Sequence, residues 1–217
     1  MVESKHKKWG IIAAPGYSFL AASLLLIILG WAFGWSALLW VGLAGLLFFG
    51  YFFRDPERDI PADPAVIVAP ADGKVILVDE VREDRYLNAP ARRIAIFMNV
   101  FDVHVNRAPL AGTVTEMQHR DGCFKAAFRE DACTLNEQMA LLLEAKGSRV
   151  LVVQIAGLLA RRIVSYVKPG QQLKKGERLG MICFGSRVDL YLPPQAEILV
   201  KVGERVKAGS SLVAKWV

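Results

Sequence analysis

Met181-Ile182-Cys183-Phe184-Gly185-Ser186-Arg187-Val188-Asp189-Leu190-Tyr191-Leu192-Pro193 contains the change of pattern around which the chain is arranged. An apolar run that reads as a strand ends in a Gly-Ser pair, and a run of alternating polarity follows. A turn at this point exposes both the peptide bond and the serine hydroxyl. Gly147-Ser148 and Gly209-Ser210 repeat the dipeptide elsewhere. Gly and Ser are turn residues in any context, so the pair acquires meaning only from what surrounds it.

On either side lies a repeat. Val167-Lys168-Pro169-Gly170 with Leu173, Gly176 and Leu179 matches Val200-Lys201-Val202-Gly203 with Val206, Gly209 and Leu212, at an offset of 33 residues. Each copy reads strand, Gly turn, short strand, Gly turn, strand. The pattern resembles the hammerhead half-motif of biotinyl and lipoyl carrier domains, which form a barrel-sandwich and carry a lysine at a hairpin tip between the halves. Residues 181–194 contain no lysine, and Gly185-Ser186 stands there instead. A weaker echo pairs Pro70-Ala71-Asp72-Gly73-Lys74-Val75 with Pro109-Leu110-Ala111-Gly112-Thr113-Val114. Only the first copy carries an acid, which marks Asp72 as more than a turn former.

Short strands are expected throughout this part: Val66–Ala69, Lys74–Val78, Arg93–Met98, and Gln138–Ala145 facing Val150–Ile155 across Lys146-Gly147-Ser148-Arg149. No long segment sustains a 3.6-residue period. The expected class is mainly β (α+β), with a duplicated biotinyl/lipoyl-like half-motif.

The N-terminal part is different. Ile11 to Phe53 contains no charged side chain. That is too long for one membrane-spanning helix of about 20 residues and suits two, with a break near Gly30, Gly34 and Ser36. Trp9, Tyr17 and Tyr51 suit the lipid interface, and Lys5, Lys7, Lys8, Arg54 and Arg58 flank the run. Positive charge at both ends predicts that both ends face the cytoplasm. The expected organisation is a transmembrane helical hairpin over 1–53, a proline-stiffened linker over 54–65 (Pro56, Pro61 and Pro64), and a β-rich domain over 66–217. The expected location is the cell membrane, with the β-rich domain on its cytoplasmic side.

Composition agrees. Of 217 residues 53% are hydrophobic, and mean hydropathy is +0.32. Net charge is +6, of which the segment up to Phe53 contributes +2. A mildly basic remainder suits an anionic membrane surface. No arginine-rich run interleaved with aromatics points to nucleic acid. Cys123, Cys133 and Cys183 lack metal-ligand spacing, so reduced thiols and no metal are expected.

Five motifs occur in order: Phe52-Phe53-Arg54-Asp55-Pro56; Pro70-Ala71-Asp72-Gly73; Asp102-Val103-His104-Val105-Asn106-Arg107-Ala108-Pro109; Gln154-Ile155-Ala156-Gly157 with Ala160-Arg161-Arg162-Ile163; and Phe184-Gly185-Ser186. Together they resemble the short, prokaryotic type of phosphatidylserine decarboxylase proenzyme, from the membrane segment to the C-terminus. The resemblance implies a membrane-associated, pyruvoyl-dependent lyase that makes phosphatidylethanolamine and CO2 from phosphatidylserine. It implies self-cleavage between Gly185 and Ser186 into a β chain (1–185) and an α chain (186–217), which remain partners. A homo-oligomer is compatible with it.

The chemistry has its own logic. Loss of CO2 from an α-amino acid leaves a carbanion, which needs an electron sink. The sequence has no Gly-rich phosphate loop for pyridoxal phosphate. A ketone at a chain N-terminus, forming a Schiff base with the substrate amine, serves the same purpose. To make it, Ser186 Oγ attacks the Gly185 carbonyl to give an ester. A base then removes the Ser186 Cα proton and the carboxylate is eliminated. Hydrolysis of the resulting enamine releases ammonia and leaves the pyruvoyl group.

The serine needs a base. Of His6, His104 and His119, the first lies in the N-terminal tail. His104 is the expected base, with Asp72 orienting it in the manner of a Ser-His-Asp triad. Long bacterial members of the family read His-x-x-His here, whereas this chain has His104 and then Arg107. Either His104 serves both steps or His119 substitutes. Arg161 and Arg162 are candidates to hold the lipid phosphate or the substrate carboxylate. His119, Phe124, Asn136, Glu137 and Gly157 are candidate headgroup-binding residues. Two other readings fit the sequence: a decarboxylase of a related serine-headgroup lipid, such as an archaeal ether lipid, and a non-enzymatic membrane-tethered carrier-like domain.

Overall fold

The computed structural model describes residues 11–122, 136–157, 163–183 and 185–216. It divides into two units, Met1–Glu57 and Arg58–Val217.

In the first unit the uncharged run forms α1 (Gly16–Ala32) and α2 (Ser36–Phe52), 17 residues each. Gly34, at φ +67°, supplies the turn between them. Two antiparallel backbone hydrogen bonds close the base of the hairpin, Ala13 N–H to Phe53 O and Asp55 N–H to Ile11 O. The helices touch through small residues. A Cβ on Gly30 would lie 2.5 Å from Leu39 N, and one on Gly42 2.8 Å from Ile27 N. The sequence suggested two spans of about 20 residues. Helix starts only after Pro15 and breaks at Gly34, and no described helix is long and apolar enough to cross a membrane.

The second unit is mainly β. Its strands are β1 (Val66–Val68), β2 (Gly73–Glu83), β3 (Ala89–Met98), β4 (Val105–Arg107), β5 (Gly112–Arg120), β6 (Gln138–Ala145), β7 (Ser148–Ala156), β8 (Ile163–Ser165), β9 (Gln172–Leu173), β10 (Arg178–Ile182), β11 (Ser186–Leu192), β12 (Glu197–Ile198), β13 (Arg205–Val206) and β14 (Leu212–Lys215). An eight-stranded antiparallel sheet runs β13-β2-β3-β11-β7-β6-β5-β9. Two three-stranded sheets accompany it, β1-β14-β12 and β4-β10-β8.

The repeats seen in sequence are one duplication in space. Gly73 pairs with Val206 and Lys74 with Arg205, as Gly112 pairs with Leu173 and Thr113 with Gln172. The small sheets share even their irregularity. Val66, Ile67 and Val68 face Lys215, Ala214 and Leu212, while Val105, Asn106 and Arg107 face Met181, Gly180 and Arg178, with a bulge at the same step. The two copies exchange hydrogen bonds reciprocally, Val68 N–H to Pro109 O and Arg107 N–H to Pro70 O. The second copy, β4 to β10, lies in sequence wholly between β3 and β11 of the first, and the two copies join through the β11·β7 pair.

The apolar core collects on one face of the large sheet, from Ile94, Ile96, Val152, Val188 and Leu190 among others. The opposite face carries a second cluster with Leu151, Val153, Ile155 and Tyr191. Burial on both faces explains why β11 is buried along its whole length although its polarity alternates.

Candidate active site

Strand β11 begins at the serine. Its position in the sheet is fixed on both sides, with Ser186 opposite Met98 on β3 and opposite Ala156 on β7. Gly185, just before it, holds φ +58°. A Cβ there would meet nothing within 4 Å, so the backbone conformation, not crowding, favours glycine. Ser186 is fully buried. Its Oγ has no hydrogen-bond partner among the described residues, which is uncommon for a buried hydroxyl.

Alternation along the strand sends Arg187 and Asp189 to the other face. They form a bidentate ion pair, Nε to Oδ1 at 2.5 Å and Nη2 to Oδ2 at 2.8 Å, 2% and 0% exposed. Burial pushes the Asp189 carboxyl above its usual range, against the opposing charge and hydrogen bonds of Arg187. The two charges that β11 carries on this face are paired with each other, and the pair anchors the segment immediately after the serine.

His104 stands one residue before β4 and is fully buried. Its carbonyl accepts Ile182 N–H at 3.3 Å, tying it to the end of β10, which leads into Gly185. Its Nδ1 lies 2.9 Å from the Asp102 carbonyl oxygen. A carbonyl can only accept, so Nδ1 carries the proton and Nε2 the lone pair. The Asp102 carbonyl thus orients the ring.

Asp72 does not make the contact expected of it. Its Oδ1 accepts Ala208 N–H at 2.7 Å and its Oδ2 accepts Arg58 Nη2–H at 2.8 Å. The Arg58–Asp72 pair is largely buried, at 11% and 12% side-chain exposure. Arg58, read from sequence as a charge flanking the membrane run, therefore belongs to the catalytic unit. The Asp72 loop still reaches the histidine segment, through the Arg107 N–H to Pro70 O bond. The Arg107 side chain, 4% exposed, donates to Gly176 O at 3.0 Å and so braces a turn of the repeat.

His119 lies apart from Ser186. It sits on β5, three strands from β11, about 14 Å along the sheet at the usual strand spacing. It is half-exposed and bonded to Glu137 at 3.1 Å. Of the two candidate bases, His104 is the one hydrogen-bonded, through its carbonyl, to the segment that leads into Ser186. Asn136 does reach the centre: buried, it donates to Ala156 O at 2.7 Å, on the residue facing Ser186. Glu137 O accepts Ala156 N–H, and buried Gly157 follows. Phe124, Arg161 and Arg162 lie outside the described residues.

Two polar residues went unassigned in sequence. Gln154 and Asn106 are both fully buried. Gln154 Nε2 donates to Asn106 Oδ1 at 2.7 Å, and Asn106 Nδ2 to Met98 Sδ at 3.5 Å. The signal for Gln154 was a single amide within the apolar run Val150–Ile155.

A profile of the phosphatidylserine decarboxylase family matches residues 46–214, a stretch that holds Asp72, His104 and Ser186. This chain belongs to the phosphatidylserine decarboxylase family. It is 47% identical over 205 residues to the phosphatidylserine decarboxylase proenzyme of Syntrophotalea carbinolica, covering 93% of this chain and 95% of that one. The proenzyme of Carboxydothermus hydrogenoformans is 46% identical over 209 residues, with 94% and 96% covered. That of Burkholderia ambifaria is 44% identical over 206 residues, also with 94% and 96% covered. In this member of the family, there is space around Gly185 for a Cβ, and the serine hydroxyl is buried without a competing hydrogen bond among the described residues.

Proposed function

We propose that the chain is a self-processing proenzyme that decarboxylates phosphatidylserine to phosphatidylethanolamine and CO2. The carrying observation is the serine of a family member held at the head of a central strand, its hydroxyl buried without a partner among the described residues, after a glycine in left-handed conformation. Ser186 Oγ attacks the Gly185 carbonyl carbon, its proton passes to His104 Nε2, and the Gly185–Ser186 C–N bond breaks as the Ser186 nitrogen takes that proton. Burial keeps water away from the ester that results. Asp72, paired with Arg58, holds the loop on which the histidine segment rests.

The residues fit a pyruvoyl group formed from Ser186. Once in place, that group supplies the electron sink for the carbanion left by CO2. The new N-terminus at 186 stays where it is after the cut, because β11 pairs from Ser186 onward with both β3 and β7. The Arg187–Asp189 pair adds an anchor one residue away.

The helical hairpin is read as the membrane anchor, with the catalytic unit on the cytoplasmic side of the cell membrane. Leu24, Leu25, Ile28, Trp31, Trp40, Val41 and Leu47 are exposed on it, and helices apolar all round suit lipid. Glycine contacts such as those at Gly30 and Gly42 typify helix packing where burial from water is not the driving force. Arg54 stacks 3.9 Å over the Tyr51 ring, a pairing suited to the headgroup level.

Mass spectrometry tests the reading. The purified protein should appear as two chains divided at Gly185/Ser186, the shorter one blocked at its N-terminus, and should release CO2 from phosphatidylserine vesicles. An active preparation consisting of one intact 24.0 kDa chain would refute it.

A further inference from the structure

The geometry points to Gln154 as the residue that receives the substrate's primary amine, with Asn106 as its positioning partner. The inference rests on the decarboxylase reading and names how the same centre recognises its headgroup.

Gln154 is on β7 opposite Val188, and Ala156, two residues on, is opposite Ser186. Gln154 and Ser186 are therefore diagonal neighbours on one face of the sheet. Asn106 links Gln154 on β7 to Met98 on β3. The strand between these two is β11, and Met98 is the other residue facing Ser186. The amide pair thus bridges across β11 beside the serine.

Its orientation follows from the bonds. Asn106 gives its N–H to a thioether, which only accepts, so Oδ1 faces Gln154 and takes the Nε2–H. Gln154 Oε1 is then left over. It is buried and without a partner among the described residues, as is Ser186 Oγ. An orphan acceptor of this kind destabilises a fold.

Packing gives no reason to keep it. The position equivalent to Asn106 in the other copy of the repeat is Ile67, fully buried in the core. The backbone there accepts an apolar residue, yet in this copy an asparagine holds the glutamine in place.

The atom left free is a neutral acceptor, and a primary amine brings N–H donors. The amine must also keep its lone pair for the electrophilic carbon that Ser186 Cα becomes. A carboxylate would hold it as ammonium; an amide oxygen accepts one N–H while favouring the charged form far less. Met98, Ala156, Val188 and Asn106, the neighbours on that face, are uncharged.

The test compares wild type, Gln154→Met and Gln154→Glu for chain masses, turnover of short-chain phosphatidylserine, and thermal stabilisation by two short-chain lipids. Phosphatidylethanolamine keeps the amine and has no carboxyl to lose; phosphatidylcholine has no N–H. All three proteins should be cut into two chains. Gln154→Met should lose about tenfold in kcat/KM, mainly through KM. It should also lose the stabilisation by phosphatidylethanolamine, with that by phosphatidylcholine unchanged. Gln154→Glu, which retains an acceptor, should keep phosphatidylethanolamine binding.

Wild-type behaviour in Gln154→Met, equal losses of phosphatidylethanolamine stabilisation in both variants, or a Gln154→Met chain that folds but stays uncut would overturn the assignment. Should Gln154→Met not unfold cooperatively, Gln154→Glu decides alone: a folded variant that no longer distinguishes the two lipids overturns it. A wild type that neither cuts itself nor releases CO2 refutes the decarboxylase reading instead, and the contrast between the two lipids can still be measured.

Discussion

The two copies of the repeated motif share backbone register, a bulge and reciprocal hydrogen bonds, and they differ in what they carry. Ala65 O accepts Trp216 N–H as His104 O accepts Ile182 N–H, which makes alanine and histidine equivalents. Ile67 stands where Asn106 stands. Ala111 occupies the turn position that Asp72 holds in the other copy, one residue before the paired Gly112 and Gly73. The backbone requires none of these polar residues, since each has an apolar counterpart that folds the same way. Ile67 and Asn106 are both fully buried, and where a duplicated core position diverges from apolar to polar, chemistry is the simplest reason.

Returning each polar residue to its counterpart's identity breaks that comparison directly. The reference is Ser186→Ala, which removes the nucleophile altogether; one uncut chain on a denaturing gel and no CO2 release are expected. His104→Ala copies Ala65 and should slow processing by about 10²- to 10⁴-fold, the usual contribution of a general base, followed as a time course of chain cleavage. Unchanged cleavage would transfer the base role to another group.

Asp72→Ala copies Ala111 but strands Arg58. A largely buried ion pair that loses one partner costs about 3–5 kcal/mol, to be read from denaturant unfolding. Adding Arg58→Met should recover most of that stability without restoring cleavage. If the double variant cuts normally, Asp72 is a structural acid only.

Asn106→Ile copies Ile67. It leaves the buried Gln154 Nε2 without its acceptor, so stability should fall by about 1–3 kcal/mol; the variant should still cut itself, and lose about tenfold in turnover, the scale of one hydrogen bond. The smallest effect on processing is expected from deleting residues 1–57, because the duplicated unit holds every residue assigned to cleavage. Such a protein should still cut itself. Its turnover of long-chain lipid in bilayers should drop well below its turnover of a short-chain, dispersed analogue, because an anchor acts by local concentration. Equal loss on both substrates would assign the hairpin to the fold rather than to the membrane.

The Arg187–Asp189 face sharpens the comparison at the acid end. Asp189 titrates above its unfolded value of about 3.9. Its contribution therefore favours the fold below that pH and fades as pH rises through the folded value. Asp189→Asn should remove that slope from a plot of stability against pH.

The sequence by itself determined whatever depends on neighbours along the chain. An uncharged run of 43 residues could only be apolar helix, and a glycine before Ser186 could only loosen the backbone at that bond. The 33-residue offset announced a duplication because glycine turns recur wherever the backbone repeats. Helix length was not legible, since Pro15 and Gly34 set it locally, within a run that composition alone treats as uniform. Only the tertiary structure decided the contacts between distant segments. Arg58 and Asp72 pair across 14 residues, Asn106 and Gln154 across 48, and no spacing rule links such positions. Strand order separated His119 from Ser186 while it placed Asn136 beside it. The physical reason is that a sheet orders its strands by burial and hydrogen bonding between whole segments. A residue's neighbours across the sheet are therefore set by register, which the local sequence does not contain.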